Sequence, residues 1–236
     1  MKYVWAIATH RGMVRESNQD AVTPTSGGAG PGPLLVAVAD GMGGHAGGEV
    51  ASRIAIETVS SGSKTRLDER ILDANEAIAA ESRADPALAG MGTTVSAAEI
   101  SKDGTALIGH VGDSRVYLLR SGILRQLTTD HTLVAQWVAE GRLTAQEAAV
   151  HPQRSMIMRA VGHGRPLEVD LIEERLLDGD RLMICSDGLS GMIDDELIAN
   201  LLSNGTVEES VWALVEAANS AGGHDNITVA AVDVGS

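Results

Sequence analysis

The spacing of short apolar segments and turn residues constrains this chain to antiparallel sheets. Links such as Asp103-Gly104 and Ser121-Gly122 join neighbouring apolar segments. A link this short requires antiparallel neighbours, because a parallel crossover needs about a dozen residues or more. Segments rich in β-branched residues or in alternating apolar positions are predicted as strands at 2–9, 34–39, 93–100, 105–111, 115–119, 181–185 and 226–234.

Three longer segments, 49–60, 66–84 and 207–218, repeat apolar residues with helical periodicity. Thr206 and Glu209 predict a capping box at the start of the last helix. Strands mixed with paired amphipathic helices predict an α+β fold, since the regular alternation of strand and helix that builds a parallel sheet is missing.

Composition narrows the class of protein. Aromatic residues make up 2% of the chain and Phe is absent, so a core must be built from Ala, Val, Ile, Leu and Met. We predict a single domain over residues 1–236. The net charge of −14 disfavours nucleic acid and anionic membrane surfaces as partners, because their phosphates would be repelled. Cys185 has no second cysteine to pair with, and no apolar run reaches the roughly 20 residues that span a bilayer, so we expect a cytoplasmic protein. We also expect a monomer.

Two segments interrupt the pattern of strands and helices. The Gly- and Pro-rich segment 25–33 predicts a flexible surface loop between strands. The segment 130–165 is too long for a plain connection, and two short helices are predicted within it, at 131–141 and 144–150. It is either a functional flap over a site or a purely structural excursion.

Aspartates stand at the ends of the predicted strands. Asp40, Asp113 and Asp187 each follow an apolar segment, Asp225 directly precedes the last one, and Asp20 follows the first strand after a short interval. Asp-Gly is a common turn dipeptide, so each instance alone can be explained by turn chemistry. As a set, these carboxylates can converge at one end of a sandwich.

Converging carboxylates favour a divalent cation, because without one their mutual repulsion disfavours the charged form. Oxygen ligands without a Cys or His cluster suit Mg²⁺ or Mn²⁺ better than Zn²⁺. Two such ions about 4 Å apart would activate a water and hold phosphoryl oxygens. Other phosphate chemistry is disfavoured by spacing, because Cys185 has no Arg six positions later and the Gly-rich stretch after Asp40 lacks the Lys-Ser/Thr of a nucleotide-binding loop.

Six motifs make the chain resemble a known family. In order they are RESNQD at 15–20, VADGMGGHAGGE at 38–49, GTT at 92–94, GDSR at 112–115, SDGL at 186–189 and GGHDNIT at 222–228. Together they resemble the metal-dependent protein phosphatases of the protein phosphatase 2C type in their compact bacterial form. The resemblance implies a sandwich of two antiparallel sheets flanked by helix pairs, four layers in the order α-β-β-α, with an inserted flap over about 130–165.

The resemblance also implies an activity. It predicts a protein-serine/threonine phosphatase, with two core Mn²⁺ or Mg²⁺ ions and a possible third, in which a hydroxide held between two ions attacks phosphorus in line. The partners would be phosphoproteins carrying phosphoserine or phosphothreonine, substrates of a serine/threonine kinase. Two alternatives stay open: a catalytically silent module that binds phosphoproteins, and a small-molecule phosphoesterase with the same metal centre.

Metal ligands are assigned by matching each residue to its motif. Asp40 resembles the carboxylate that bridges the two core ions, and Gly41 would offer its backbone carbonyl. Asp187 and Asp225 resemble the other direct ligands, and Asp113 resembles the residue that holds a third ion together with Asp187.

Further roles follow from the same motifs. Arg15 resembles the substrate-phosphate contact, a task that suits a planar bidentate donor, and Asp20 resembles the acid that contacts the metals through water. Asn226 is expected to orient Asp225, and Gln19 departs from family members that carry Glu there. His45 could protonate the leaving oxygen or could simply pack in its Gly-rich turn, while a metal-bound water could serve as the acid instead.

Within the flap segment, His131, His151 and Arg154 are predicted to contact the protein substrate or to regulate access. Simple solvation of these polar side chains is the alternative.

Overall fold

Two antiparallel sheets face each other in the computed structural model, which describes residues 1–61, 65–163 and 166–235 and leaves out the side chains of 44–46. The described residues form twelve strands, namely β1 (Lys2–His10), β2 (Asp20–Thr23), β3 (Gly28–Gly30), β4 (Leu34–Met42), β5 (Gly92–Thr93), β6 (Val95–Ile100), β7 (Thr105–Val111), β8 (Arg115–Arg120), β9 (Ile123–Gln126), β10 (Asp170–Arg175), β11 (Arg181–Cys185) and β12 (Ile227–Gly235). Seven helices accompany them in the same described part, namely α1 (Gly44–Ser61), α2 (Leu67–Ala84), α3 (Leu133–Ala139), α4 (Ala145–Ala149), α5 (Asp187–Ser190), α6 (Asp195–Ser203) and α7 (Val207–Ser220).

The first sheet has the strand order β3-β1-β12-β11-β8-β9, and the second has the order β10-β7-β6-β4-β2 with β5 added on β4. All of the pairings are antiparallel, as the tight links predict. The inner faces meet in one apolar cluster that includes Tyr3 and Val232 from the first sheet and Val36 and Ile108 from the second.

Helices cover the outer face of each sheet and complete four layers. Helices α6 and α7 pack on the first sheet, and α1 and α2 pack on the second. The chain has almost no aromatic side chains to fill the space between its layers. The layers lie close together instead. A Cβ at Gly109 of β7 would lie 2.7 Å from Ile71 Cδ1 of α2, so the glycine lets the helix lie close to the sheet. The predicted α+β sandwich with flanking helix pairs is confirmed.

Local predictions succeeded where the periodicity was strong. The predicted helices 49–60, 66–84 and 207–218 correspond to α1, α2 and α7, and the capping box of Thr206 and Glu209 is present. The prediction of a flexible loop over 25–33 was wrong in part, because Gly28–Gly30 pairs with Tyr3–Trp5 as an edge strand. Only the neighbouring strand supplies the hydrogen bonds that order this glycine-rich segment.

The segment that follows β9 contains α3 and α4 and returns to β10. Two isolated bridges, Thr132 with Ile157 and Thr93 with Val161, tie it to itself and to the second sheet. The boundaries of a flap at about 130–165 stay a prediction, and 164 and 165 lie outside the described residues.

The buried ion pair at the end of the sandwich away from these loops gives a test of stability. Asp180 is 3% exposed, accepts two hydrogen bonds from Arg120 at 2.9 and 2.6 Å, and accepts a third from the Leu177 backbone at 2.7 Å. We expect Asp180→Ala to lower the free energy of unfolding by about 2 kcal/mol in urea, because Leu177 N–H then loses its acceptor. Glu57→Ala, which removes an exposed pair with Arg53, is the control and should change little. Equal effects of the two substitutions would contradict the prediction.

Candidate active site

The strand-end aspartates meet at one end of the sandwich. Asp20 and Asp40 are paired across β2 and β4. Asp113 follows β7, whose last residue pairs with the first residue of β6 and so lies at the same edge of the second sheet. Asp187 follows β11 and Asp225 precedes β12, and these strand ends are neighbours because Cys185 pairs with Val229. The tertiary fold therefore converges carboxylates that are up to about two hundred residues apart in the chain.

A cleft of about 510 Å³ lies over this cluster. Its lining includes Asp40, Asp113, Asp187 and Asp225, together with Arg15. Arg15 Nη2 donates a hydrogen bond to Asp225 Oδ2 at 2.6 Å, so one arginine offsets part of the acidic charge of the cleft. Half of the predicted site residues, these five and Gly41, thus line one solvent-accessible space.

Two of the Asp-Gly dipeptides are explained by close backbone approach, not by turn geometry. A Cβ at Gly41 would lie 2.1 Å from the carbonyl oxygen of Gly48, and a Cβ at Gly188 would lie 2.0 Å from that of Asn226. By contrast, Gly179 has a φ of +85° and open space around it, as a true turn glycine does. Small residues after Asp40 and Asp187 therefore let loops from different elements pack against one another at the site.

The GTT motif holds the backbone of Asp40. The carbonyl of Asp40 accepts hydrogen bonds from Thr93 Oγ1 at 2.8 Å and from Thr94 N–H at 2.9 Å. The N–H of Asp40 donates to Thr94 Oγ1 at 3.0 Å. Thr93 and Thr94 are fully buried, so these contacts fix the direction from which the Asp40 carboxylate enters the cleft.

Asn226 fastens the loop that carries Arg15. Its Nδ2 donates to the carbonyls of Arg11 and Ser17, both at 2.9 Å, and its Oδ1 accepts from Gln19 N–H at 2.8 Å. Its own N–H donates to Asp225 Oδ1 at 2.9 Å. The side chain is 4% exposed and binds both ends of the loop, which fits an orienting role and leaves little capacity for a metal.

The carboxylates are held in an environment that disfavours their charge. Burial is the main cause that raises the pKa of Asp20 to about 7 and that of Asp113 to about 8. Burial also raises the pKa of Asp40 well above its ordinary value and raises the pKa of Asp187. The charges of neighbouring aspartates add to the effect at each of these positions.

The donor set fits a hard divalent cation. Asp20 accepts a hydrogen bond from Ser186 Oγ at 2.8 Å through Oδ2, but its Oδ1 is buried with no hydrogen-bond partner among the described residues. A cation would reverse the repulsion that raises the pKa values, and carboxylate oxygens are the ligands that Mg²⁺ and Mn²⁺ prefer. Within the described part of the chain, no three acidic, histidine or cysteine side chains form a ready-made ion site. Waters or backbone carbonyls such as that of Gly41 would have to complete the coordination.

His131 supports the site from behind and does not reach a substrate surface. Its Nδ1 accepts a hydrogen bond from the N–H of Gly112 at 3.0 Å, and its Nε2 lies 3.1 Å from Asp170 Oδ2 and 3.0 Å from Arg159 Nη1. Its side chain is 8% exposed. The ring thus braces the turn that presents Asp113, and the prediction that His131 contacts substrate is not supported by its placement.

The other predicted flap residues also lie outside the cleft lining. The His151 ring packs edge-on against Trp137 with 5.3 Å between ring centroids, and Arg154 is exposed. The residues of this segment that line the cleft are Ser155 and Ile157. Nothing in their sequence context distinguishes them, so the analysis of motifs missed both. His45 lies outside the residues whose side chains the structure describes.

A carboxylate cluster at one end of the sandwich, with Arg15 beside it, is typical of a metal-dependent hydrolase. The family model described as protein phosphatase 2C matches residues 9–222. The chain belongs to the protein phosphatase 2C family, and the predicted family and fold class are confirmed.

Relatives and solved structures agree with this membership. The serine/threonine protein phosphatase PstP of Mycobacterium tuberculosis is 43% identical over 238 residues, which cover 98% of this chain and 45% of that protein. The chain therefore spans about half the length of this relative. The serine/threonine phosphatase stp of Listeria monocytogenes is 37% identical over 241 residues, which cover 95% of this chain and 93% of that protein.

Among solved structures, the Mycobacterium tuberculosis phosphatase PstP/Ppp superposes with a TM-score of 0.92 at 41% identity and covers 100% of both chains. The catalytic domain of PstP in complex with two manganese ions superposes with a TM-score of 0.89 at 39% identity, again over 100% of both chains.

Across the described ranges of this chain, no helix combines the length and apolar character needed to cross a membrane.

The clamp formed by Asn226 can be tested with an isosteric change. In Asn226→Asp, Oδ1 can still accept from Gln19, but a carboxylate oxygen replaces the donor that faces the carbonyls of Arg11 and Ser17. We expect the free energy of unfolding to fall by about 1–3 kcal/mol, measured by urea titration. Asn204→Asp, the same change at an exposed helix end, is the control and should have a much smaller effect. Unfolding curves shifted equally by both substitutions would contradict the clamp.

The raised pKa values predict the direction of pH dependence in chelator. Asp20 and Asp113 change from the ordinary value of 3.8 to about 7 and about 8 on folding, so between these values the folded state holds the extra protons. Each titrating group then lowers the free energy of unfolding by about 1.4 kcal/mol per pH unit as the pH rises. Urea titrations from about pH 5 to about pH 7 should therefore show decreasing stability.

Two controls separate this effect from other titrations. Saturating Mn²⁺ should suppress the decrease, because a bound cation favours the ionised carboxylates. Asp20→Asn should make the slope shallower in chelator. Stability that rises with pH over this range in chelator would show that these carboxylates are not held in a charge-disfavouring environment.

Proposed function

We propose that this protein is a Mn²⁺- or Mg²⁺-dependent serine/threonine phosphoprotein phosphatase. The observation that carries the proposal is the convergence of Asp40, Asp113, Asp187 and Asp225 in one cleft, with Arg15 at 2.6 Å from Asp225. Membership of the protein phosphatase 2C family and the phosphatase names of the relatives support it.

The aspartates are proposed to hold two core ions, with Asp40 between them, Gly41 contributing its carbonyl, and Asp187 and Asp225 as the remaining protein ligands. When bound, the ions supply Lewis acidity and an activated water for hydrolysis of the phosphate ester. The solved relative that holds two manganese ions supports this number of core ions. A third ion near Asp113 and Asp187 is a separate part of the proposal, favoured by the strongly raised pKa of Asp113.

Arg15 is proposed to bind the phosphoryl oxygens of the substrate. Its guanidinium is half-exposed at the cleft, within reach of Asp225, so it can exchange a carboxylate for a phosphate without crossing the site. A planar guanidinium can donate two parallel hydrogen bonds to a phosphate, which fixes the orientation of the ester. Asp20, buried beneath Asp40 with a free carboxylate oxygen, is proposed to contact the metals through water.

Phosphoserine and phosphothreonine in proteins are the proposed substrates. The lining of the cleft extends beyond the aspartates to the loop at 14–17 and to Ser155 and Ile157, surfaces that a polypeptide substrate could contact. The complete aspartate set and Arg15 argue against a silent binding module, because such a module has no need to keep buried like charges together.

Loss of one metal aspartate should abolish most of the activity. We expect Asp187→Asn to lower kcat/KM for p-nitrophenyl phosphate in Mn²⁺ by on the order of 10³-fold, because a neutral amide replaces a charged ligand. Asp178→Asn, at an exposed turn in the same sequence region, should leave the rate unchanged. Melting curves with Mn²⁺ and with chelator complete the test, since the ions should raise the Tm of the wild-type protein but not that of Asp187→Asn.

Near-normal turnover by Asp187→Asn, or full wild-type activity in excess chelator, would overturn the metal-dependent mechanism. A wild-type protein that binds Mn²⁺ but hydrolyses no phosphate ester would favour the silent module. Hydrolysis of small phosphate metabolites with a higher kcat/KM than phosphothreonine peptides would favour a small-molecule phosphoesterase.

A further inference from the structure

A second cavity of about 740 Å³ lies beside the catalytic cleft. One wall is the C-terminal half of α2, with Asn75 and Arg83, and the opposite wall is the end of the inserted segment, with Arg159 and His163. Ile157 lines both spaces, so this cavity and the cleft that holds the aspartates are neighbours at that residue. A polypeptide that places a phosphorylated residue in the cleft can reach the cavity with a neighbouring residue.

The described lining of the cavity contains basic side chains and no acidic ones, unlike the acidic chain as a whole. Among the described residues, its lining includes two arginines and a histidine but no aspartate or glutamate, whereas the whole chain has a net charge of −14. Arg159 is already paired with Asp170 at 2.6 Å and with Glu168 at 3.3 Å. Arg83 makes no ion pair or hydrogen bond with the described residues, so its guanidinium is available to a ligand at the mouth of the cavity.

Asn75 adds a buried donor. It is 3% exposed, and its Oδ1 accepts a hydrogen bond from the N–H of Gly162 at 2.8 Å. Its Nδ2 has no hydrogen-bond partner among the described residues, although it lines the cavity. Although the residue as a whole is nearly buried, this nitrogen is not among the fully buried unpaired polar atoms, so it is reachable from the cavity. A ligand with acceptor oxygens could therefore accept a hydrogen bond from it.

We propose that this cavity binds an anionic group of the substrate, a carboxylate or a second phosphate that flanks the phosphorylated residue. The proposal rests on the phosphatase function proposed above and adds a substrate preference to it. Asn75 Nδ2 and the Arg83 guanidinium donate to the anion, and Arg159 frames the site from the opposite wall. An overall acidic protein would otherwise repel an acidic substrate, so a local cationic site beside the cleft selects such substrates.

The test compares four substrates with Mn²⁺-loaded protein. They are p-nitrophenyl phosphate, a phosphothreonine peptide with neutral flanks, the same peptide with Glu on either side, and the same peptide with a second phosphothreonine. We expect kcat/KM for at least one of the two anionic peptides to exceed that for the neutral peptide by about fivefold, with the excess reduced by high salt. The pair of anionic peptides distinguishes a carboxylate from a phosphate as the preferred group.

Two variants remove the proposed donors. Asn75→Asp keeps the acceptor for Gly162 N–H but replaces the Nδ2 donor with a charged oxygen, and Arg83→Gln removes an exposed guanidinium whose loss should not affect folding. Both should lower the preference for the anionic peptide to about one while leaving turnover of p-nitrophenyl phosphate unchanged. Arg53→Gln, an exposed helix arginine that lines neither space, changes the net charge equally and should keep the preference.

Each result decides the question. Equal kcat/KM for anionic and neutral peptides with the wild-type protein, or a preference that survives both variants, would overturn the inference while leaving the phosphatase function intact. A wild-type protein inactive on all four substrates would instead contradict the phosphatase function itself.

Discussion

Burial of like charges at one end of the sandwich is the constraint around which the site is organised. Asp113 is buried, Asp20, Asp40 and Asp187 are half-buried, and each of the four has a raised pKa. Such a cluster is stable only when it is protonated, paired with a cation or bound to a metal. The arrangement therefore lowers the stability of the fold in favour of cation binding. The rest of the fold must hold the carboxylates in place against their mutual repulsion.

Backbone contacts provide that restraint. Thr93 and Thr94 hold Asp40 through its carbonyl and its N–H, Asn226 binds both ends of the loop that carries Arg15, and His131 braces the turn before Asp113. None of these contacts uses a carboxylate oxygen of Asp40 or Asp113. Hydrogen bonds between neutral groups therefore position the site, and its charged groups serve the reaction.

The inserted segment between β9 and β10 lines two neighbouring spaces. Ser155 and Ile157 line the catalytic cleft, while Ile157 and Arg159 line the neighbouring cavity. The ion pair of Arg159 with Asp170 also reaches His131, which contacts the turn before Asp113. The substrate-facing wall and the support of one aspartate thus belong to one connected set of side chains.

Much of the fold could be predicted because its signals are local. The helical period of α2 and α7, the capping box at Thr206 and the tight links between strands act within a few residues. The strands β2, β3 and β10 were missed. Strands β2 and β3 are very short, and β3 and β10 take their hydrogen bonds from strands far from them in the chain.

The candidate site also has one part that the sequence predicts and another that only the structure shows. The six ordered motifs are enough to name the family, which the match of the family model confirms, whereas the assignment of the strand-end aspartates as metal ligands stays a prediction. Which space Ser155, Asn75 or Arg83 lines, and that His131 points inward, depends on how the inserted segment packs on α2 and on the second sheet. Packing between segments far apart in the chain leaves no periodic pattern, so only the folded arrangement of side chains decides it.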